Sequence, residues 1–91
     1  MPHSLLDLTG RIAVVTGGGG HIGGASSRAL AEAGADVAVV DIRRDAAERV
    51  AREVEALGRR AVAIVGDASR YDEVRRMADE ALAAFGQVDV L

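Results

Sequence analysis

Residues 11–23 read RIAVVTGGGGHIG. A short apolar run rich in β-branched residues occupies positions 11–16 and stops at four consecutive glycines. A run of this kind, without alternating polar positions, suits a strand buried on both faces of a parallel sheet. Beyond the glycines, Ile22, Ala25, Ala29, Leu30 and Ala33 recur at helical spacing and define the expected inward face of a first helix. Gly34 stands where a left-handed C-terminal cap is expected. Strand, glycine turn and helix in that order form the context in which a glycine cluster bears on phosphate binding.

Working outward, residues 36–41 (DVAVVD) give a second apolar run. The following segment places Ala47, Val50, Ala51, Val54 and Leu57 on one helical face, with charged residues on the others, and ends at Gly58. Residues 61–65 (AVAIV) predict a third strand. Ser69 is the expected N-cap of a third helix, with Asp72 completing an acidic variant of the capping box. Val74, Met77, Ala78, Ala81, Leu82 and Phe85 continue the helical rhythm as far as Gly86, and residues 88–91 (VDVL) predict a fourth strand.

The resulting β-α-β-α-β-α-β alternation predicts an α/β fold with a parallel sheet. Right-handed crossovers put the first two helices on one face of the sheet and the third on the other, in strand order 3-2-1-4. The chain then stops within the fourth strand, which predicts an incomplete sheet. A ligand is expected at the switch point between strands one and four.

The glycine turn has a specific chemistry. Gly17 permits a tight turn, glycines 18 to 20 let a diphosphate approach the backbone, and Gly23 lets the helix pack close to the strand. Free N–H groups and the positive end of the helix dipole face the anion. Asp41 closes the second strand 18 residues after Gly23, near the spacing of about 20 at which an acid accepts hydrogen bonds from an adenosine ribose. Its carboxylate repels a 2′-phosphate, so NAD is expected in preference to NADP, although Arg43 or Arg44 is placed to reach such a phosphate. After the third strand, Asp67 is placed to accept from an adenine amino group and the Ala68 N–H to meet a ring nitrogen. Asp67 has a second reading as a helix-capping residue.

Composition narrows the alternatives. With no Cys there is neither a disulfide framework nor a zinc ribbon. All 11 positive charges are Arg and are outnumbered by 14 Asp and Glu, so the net charge of −3 gives no footprint for nucleic acid. No apolar run approaches the roughly 20 residues of a membrane span, and residues 1–10 do not resemble a signal peptide, so a cytoplasmic location is expected. With 18 Ala, one Tyr and one Phe, the core rests on Val, Leu and Ile.

TGGGGHIG after RIAVV, Asp41 closing VVD, then GDAS and FGQVDVL: in order and spacing this resembles the N-terminal segment of the short-chain dehydrogenases/reductases. The resemblance implies a partial Rossmann fold, with residues 1–91 as the N-terminal part of one NAD(P)-binding domain. It also implies a nicotinamide cofactor held by Gly17, Gly20, His21, Ile22, Gly23, Asp41, Ile42, Asp67 and Ala68. One departure concerns the glycines. The family's common TGxxxGxG spacing puts Gly where this chain has His21, whereas Gly17, Gly20 and Gly23 satisfy the TGxxGxxG of a related subgroup.

The family's catalytic Ser, its Tyr-x-x-x-Lys pair and its Asn-Asn-Ala-Gly turn are not matched, and the chain contains no Lys. Tyr71 stands too early in the order to be the catalytic Tyr and is expected to be partly packed. The resemblance therefore implies the cofactor-binding part of an NAD-dependent oxidoreductase, without turnover of its own. An alcohol or carbonyl substrate and homo-oligomerisation are expected only of a longer chain. The alternative from another class is a stand-alone, non-catalytic nucleotide-binding module.

Overall fold

The computed structural model describes residues 7–88. Three strands, β1 (Ile12–Thr16), β2 (Asp36–Asp41) and β3 (Ala61–Val65), alternate with three helices, α1 (His21–Glu32), α2 (Arg44–Ala56) and α3 (Tyr71–Phe85). The strands pair in parallel in the order β1-β2-β3. The fourth strand expected at 88–91 lies, apart from Val88, outside the described residues, and with it the last place in the 3-2-1-4 order.

β2 is the centre of the sheet, and all six of its residues are buried. Its alternate side chains serve two cores. Val37 and Val39 pack with Ala31 of α1 and Ala47, Val50, Ala51 and Val54 of α2. Ala38 and Val40 pack on the opposite face with Val14, Ile64, and Met77 and Ala81 of α3. Because β1, β2 and β3 step outward in one direction, right-handed crossovers put α1 and α2 on the same face; α3, which follows the last of these strands, lies on the other.

At the amino end of the sheet, buried Asp36 holds the start of β3. It accepts from the Arg60 N–H at 2.9 Å and from Arg60 Nε at 3.0 Å, with the Arg59 guanidinium 3.2 Å away. The Arg60 guanidinium also lies 5.1 Å from the centre of the Phe85 ring, tying the end of α3 to the same corner.

α1 departs from its expected face. Gly24, Ser27 and Ala31 are buried, whereas Ala25 and Ala29 are exposed and Ile22 is 84% exposed. The cause lies at the helix start, where a Cβ on Gly23 would stand 2.0 Å from the Gly17 carbonyl oxygen and 2.8 Å from the Gly18 Cα. The first turn docks on the glycine turn through Gly23, and that contact fixes the rotation of the helix. On α3, likewise, Met77 and Ala81 are buried while Val74, Ala78 and Leu82 are exposed. On α2, Leu57 falls past the helix end and is exposed.

Gly23→Ala is therefore expected to destabilise the fold by about 1–3 kcal/mol or more, because backbone and not a flexible side chain must give way. Gly20→Ala adds a Cβ no closer than 3.5 Å to any neighbour and is expected to cost under about 1 kcal/mol. Thermal unfolding followed by circular dichroism separates the two.

Candidate functional site

The turns at the carboxyl ends of the three strands converge on Asp41. Its Oδ2 accepts from the Gly19 N–H at 3.0 Å and its Oδ1 from the Arg43 N–H at 2.9 Å. Its own carbonyl accepts from the Gly66 N–H at 3.1 Å. One residue thus joins the β1–α1, β2–α2 and β3–α3 turns. Burial pushes the Asp41 carboxyl up, but the Arg43 and Gly19 N–H groups, with the Arg43 guanidinium 3.7 Å away, outweigh it and hold the group below the usual carboxylate range. The carboxylate is ionised at neutral pH.

A cavity of 230 Å³ opens beside it, lined by Gly17, Asp41, Ile42, Gly66, Asp67 and Ala68 among others. It brings together five of the expected cofactor residues: Gly17, Asp41, Ile42, Asp67 and Ala68. Gly20 and His21 instead line a groove of 400 Å³ with Arg28, Arg43 and Arg49. Ile22 projects into solvent, and Gly23 is spent on the helix–turn contact; neither lines either cavity.

Within the glycine turn the roles divide differently from expectation. Gly17 has φ +65°, which a side chain rarely adopts, and makes the turn. Gly18 and Gly19 are buried, and a Cβ on either would strike Val15 and Val39 or Ala46, so they serve internal packing instead of ligand approach. Gly17 and Gly20 are the glycines of the turn beside which space remains: a Cβ on Gly17 would meet nothing within 4 Å, and one on Gly20, the N-cap of α1, nothing closer than 3.5 Å. No side chain caps α1 and no acid occupies its first turn, so the positive end of the helix remains uncompensated by either. His21 is exposed at the first helical position, which explains why the loop accommodates a side chain there.

The expected cap at Ser69 is not formed. The Ser69 hydroxyl and N–H both donate to Asp67 Oδ1, at 2.6 and 2.9 Å, closing a local turn, and α3 begins only at Tyr71 after an uncapped Arg70. The Ser69 hydroxyl and N–H hold the Asp67 carboxyl below its ordinary value. Asp67 therefore lines the cavity with one oxygen already committed. Tyr71, expected to be partly packed, is 80% exposed at the first turn of α3.

Residues 11–91 match a family model described as short chain dehydrogenase. The chain belongs to the short-chain dehydrogenase family. Among curated short-chain dehydrogenase relatives, the 7α-hydroxysteroid dehydrogenase of Escherichia coli K12 is 41% identical over 86 residues, covering 94% of this chain and 34% of its own length. Its likeness extends to solved structures. A 7α-hydroxysteroid dehydrogenase complexed with NADH and 7-oxo glycochenodeoxycholic acid superposes with a TM-score of 0.89 at 40% identity, covering 92% of this chain and 33% of that one. A metagenomic short-chain oxidoreductase in complex with NADP gives 0.85 at 38% identity, covering 93% and 38%. The chain spans about a third of the length of these relatives. The fold is accordingly a partial Rossmann fold, in agreement with the three parallel strands described.

Of the arginines of the second groove, the sequence pointed to Arg43 but not to Arg28 or Arg49. Arg49 Nη2 donates to the Gly19 carbonyl at 3.0 Å, and Arg28 pairs with Glu53 at 2.8 Å across α1 and α2. No local spacing announces these contacts, which join residues 30 and 25 positions apart.

Asp36 and Asp41 both titrate below the usual carboxylate range, and in each case burial is outweighed by donors, those of Arg60 and Arg59 for Asp36. Carboxylates with depressed pKa stabilise the fold fully above their unfolded value near 4 and lose that contribution as pH falls through the lower folded value. Thermal melts between pH 7 and 2.5 are therefore expected to hold steady down to about pH 4 and then fall. Asp41→Asn is expected to cost about 1–3 kcal/mol at pH 7, since its NH₂ faces a buried donor, and to flatten the acid limb.

Proposed function

We propose that these residues form the NAD-binding part of a short-chain oxidoreductase that interconverts an alcohol and a carbonyl. The observation that carries this reading is the buried, ionised Asp41 between two backbone N–H donors, at the wall of a cavity shared with Gly17, Ile42 and Ala68. A carboxylate has about four lone-pair sites, and two are taken. The remaining two suit the paired hydroxyls of an adenosine ribose, and the negative charge disfavours a phosphate in their place.

The remaining residues fit the same molecule. The turn at Gly17 and the open side of Gly20 leave room for a diphosphate at the start of α1, where the first-turn N–H groups and the helix dipole attract it. Ile42, 65% exposed at the cavity, and the Ala68 backbone offer an apolar edge and a donor to an adenine. A bound nicotinamide supplies the hydride acceptor or donor. The protein's share here is to bind and orient. With no Lys in the chain, the Tyr–Lys pair implied by the family resemblance is not formed from these residues, so binding without turnover is expected of them. The NADH complex of the hydroxysteroid dehydrogenase relative supports this reading.

A second reading, NADP, is favoured by one observation: Arg28, Arg43 and Arg49 line the groove next to Gly19 and Gly20. The NADP complex of the metagenomic relative is consistent with it. Arg43 would have to swing from Asp41 to meet a 2′-phosphate, and the fixed carboxylate would remain.

Titration calorimetry of the 91-residue chain is expected to show NAD⁺ binding at least about tenfold more tightly than NADP⁺, a difference of about 1.4 kcal/mol. Asp41→Ala is expected to abolish that preference. Tighter binding of NADP⁺ by the unmodified chain would favour the second reading, and no binding of either would overturn both.

A further inference from the structure

The glycine turn is held from a direction that ligand binding alone does not explain. Gly19 is buried, and both of its polar groups are engaged: its N–H binds Asp41 Oδ2 at 3.0 Å and its carbonyl accepts from Arg49 Nη2 at 3.0 Å. One turn before Arg49 on the same helix, Ala46 lies where a Gly19 side chain would be, with its Cβ 2.7 Å from that position. α2 therefore touches the turn at two points three residues apart, through contact at Ala46 and through a charged donor at Arg49. The start of α2 holds the other oxygen of the same carboxylate, through the Arg43 N–H.

From this connected set we infer that Arg49 is a positioning residue for the cofactor cavity, fixing the Gly19 peptide so that its N–H holds the Asp41 carboxylate. Glycine has the widest backbone freedom of any residue, and a buried glycine between two turns keeps one orientation only if both its groups are anchored. The Ala46 contact limits where Gly19 sits but leaves its carbonyl free to turn. The guanidinium supplies the missing constraint, and as a charged donor it makes a stronger bond than a neutral one. It also covers a carbonyl oxygen that would otherwise present negative charge in the groove shared with Gly20 and His21. The effect on binding is indirect: Arg49 acts on Gly19, Gly19 on Asp41, and Asp41 on the ribose. That last link rests on the nicotinamide reading above; the first two do not.

The test uses Arg49→Met, which keeps much of the side-chain volume without the donors, with Arg49→Lys as the conservative variant and Arg52→Met as a control that removes the same charge elsewhere on α2. Amide hydrogen exchange is read by NMR on the 91-residue chain without ligand. In the unmodified chain the Gly19 and Arg43 amides are both expected to be protected. In Arg49→Met, Gly19 exchanges at least about tenfold faster while Arg43 is unchanged, Arg49→Lys recovers most of the protection, and Arg52→Met leaves both alone. Equal loss at Gly19 and Arg43 would mean a general loosening of the fold, and no change at Gly19 would mean an idle surface contact; either overturns the inference. In parallel, Arg49→Met is expected to weaken NAD⁺ by about fivefold with its melting temperature little changed. Failure of the unmodified chain to bind NAD⁺ would count against the proposed function, while the exchange data would still decide the role of Arg49.

Discussion

The Asp41 carboxylate, bonded by the backbone N–H groups of Gly19 and Arg43, is the interaction on which this end of the molecule depends. An ionised group placed at the end of a central strand is costly to bury unless donors satisfy it. Here the donors belong to the backbone, and they come from two different turns. The first and second β–α turns can therefore take up their positions only together, and the Gly66 N–H on the Asp41 carbonyl draws in the third. Because the donors are fixed by the fold, the carboxylate is oriented before any ligand arrives. Under the proposed function, a ribose would meet a ready-made acceptor with little left to order on binding.

The sheet beneath it explains why the turns meet there. β2 is buried on both faces, and its neighbours run parallel to it, so every β–α turn opens at the same carboxyl end. The two sides of that end differ chemically. The cavity that holds the Asp41 carboxylate is lined from all three β–α turns, by Gly17, Ile42 and Asp67 among others. Beside β1, a groove of 250 Å³ is lined by Val14, Val40, Val74, Met77 and Leu82 and is almost wholly apolar. The exposed Val74, Ala78 and Leu82 of α3 form one wall of that groove.

Where the sequence was legible, one physical signal dominated. DVAVVD is apolar between two acids, and only a central strand buries all six such positions, so β2 was readable to the residue. α2 was nearly as clear because its Val and Ala stripe faces charged residues all round. α1 was not, because Ala, Gly and Ser differ too little in hydrophobicity to set a rotation. A single steric contact, Gly23 on Gly17, decided it. Ser69 has the side chain of a cap, but the nearer Asp67 took both its hydroxyl and its N–H. For the candidate site, Gly17, Gly20 and Asp41 could be named from spacing. The bonds that organise them could not, since Gly19 and Arg43 contribute backbone groups that every residue carries, and Arg49 reaches Gly19 across 30 positions.

The proposed function requires that the Asp41 cavity, and not the apolar groove by β1, receive an adenosine-bearing cofactor. Adding NAD⁺ to the ¹⁵N-labelled chain and mapping amide shifts by NMR tests it most directly. The expected result is a contiguous set of shifts at Gly17, Gly20, Asp41, Ile42 and Ala68. Shifts centred on Val74, Met77 and Leu82 with none at Asp41 would place the cofactor in the apolar groove instead.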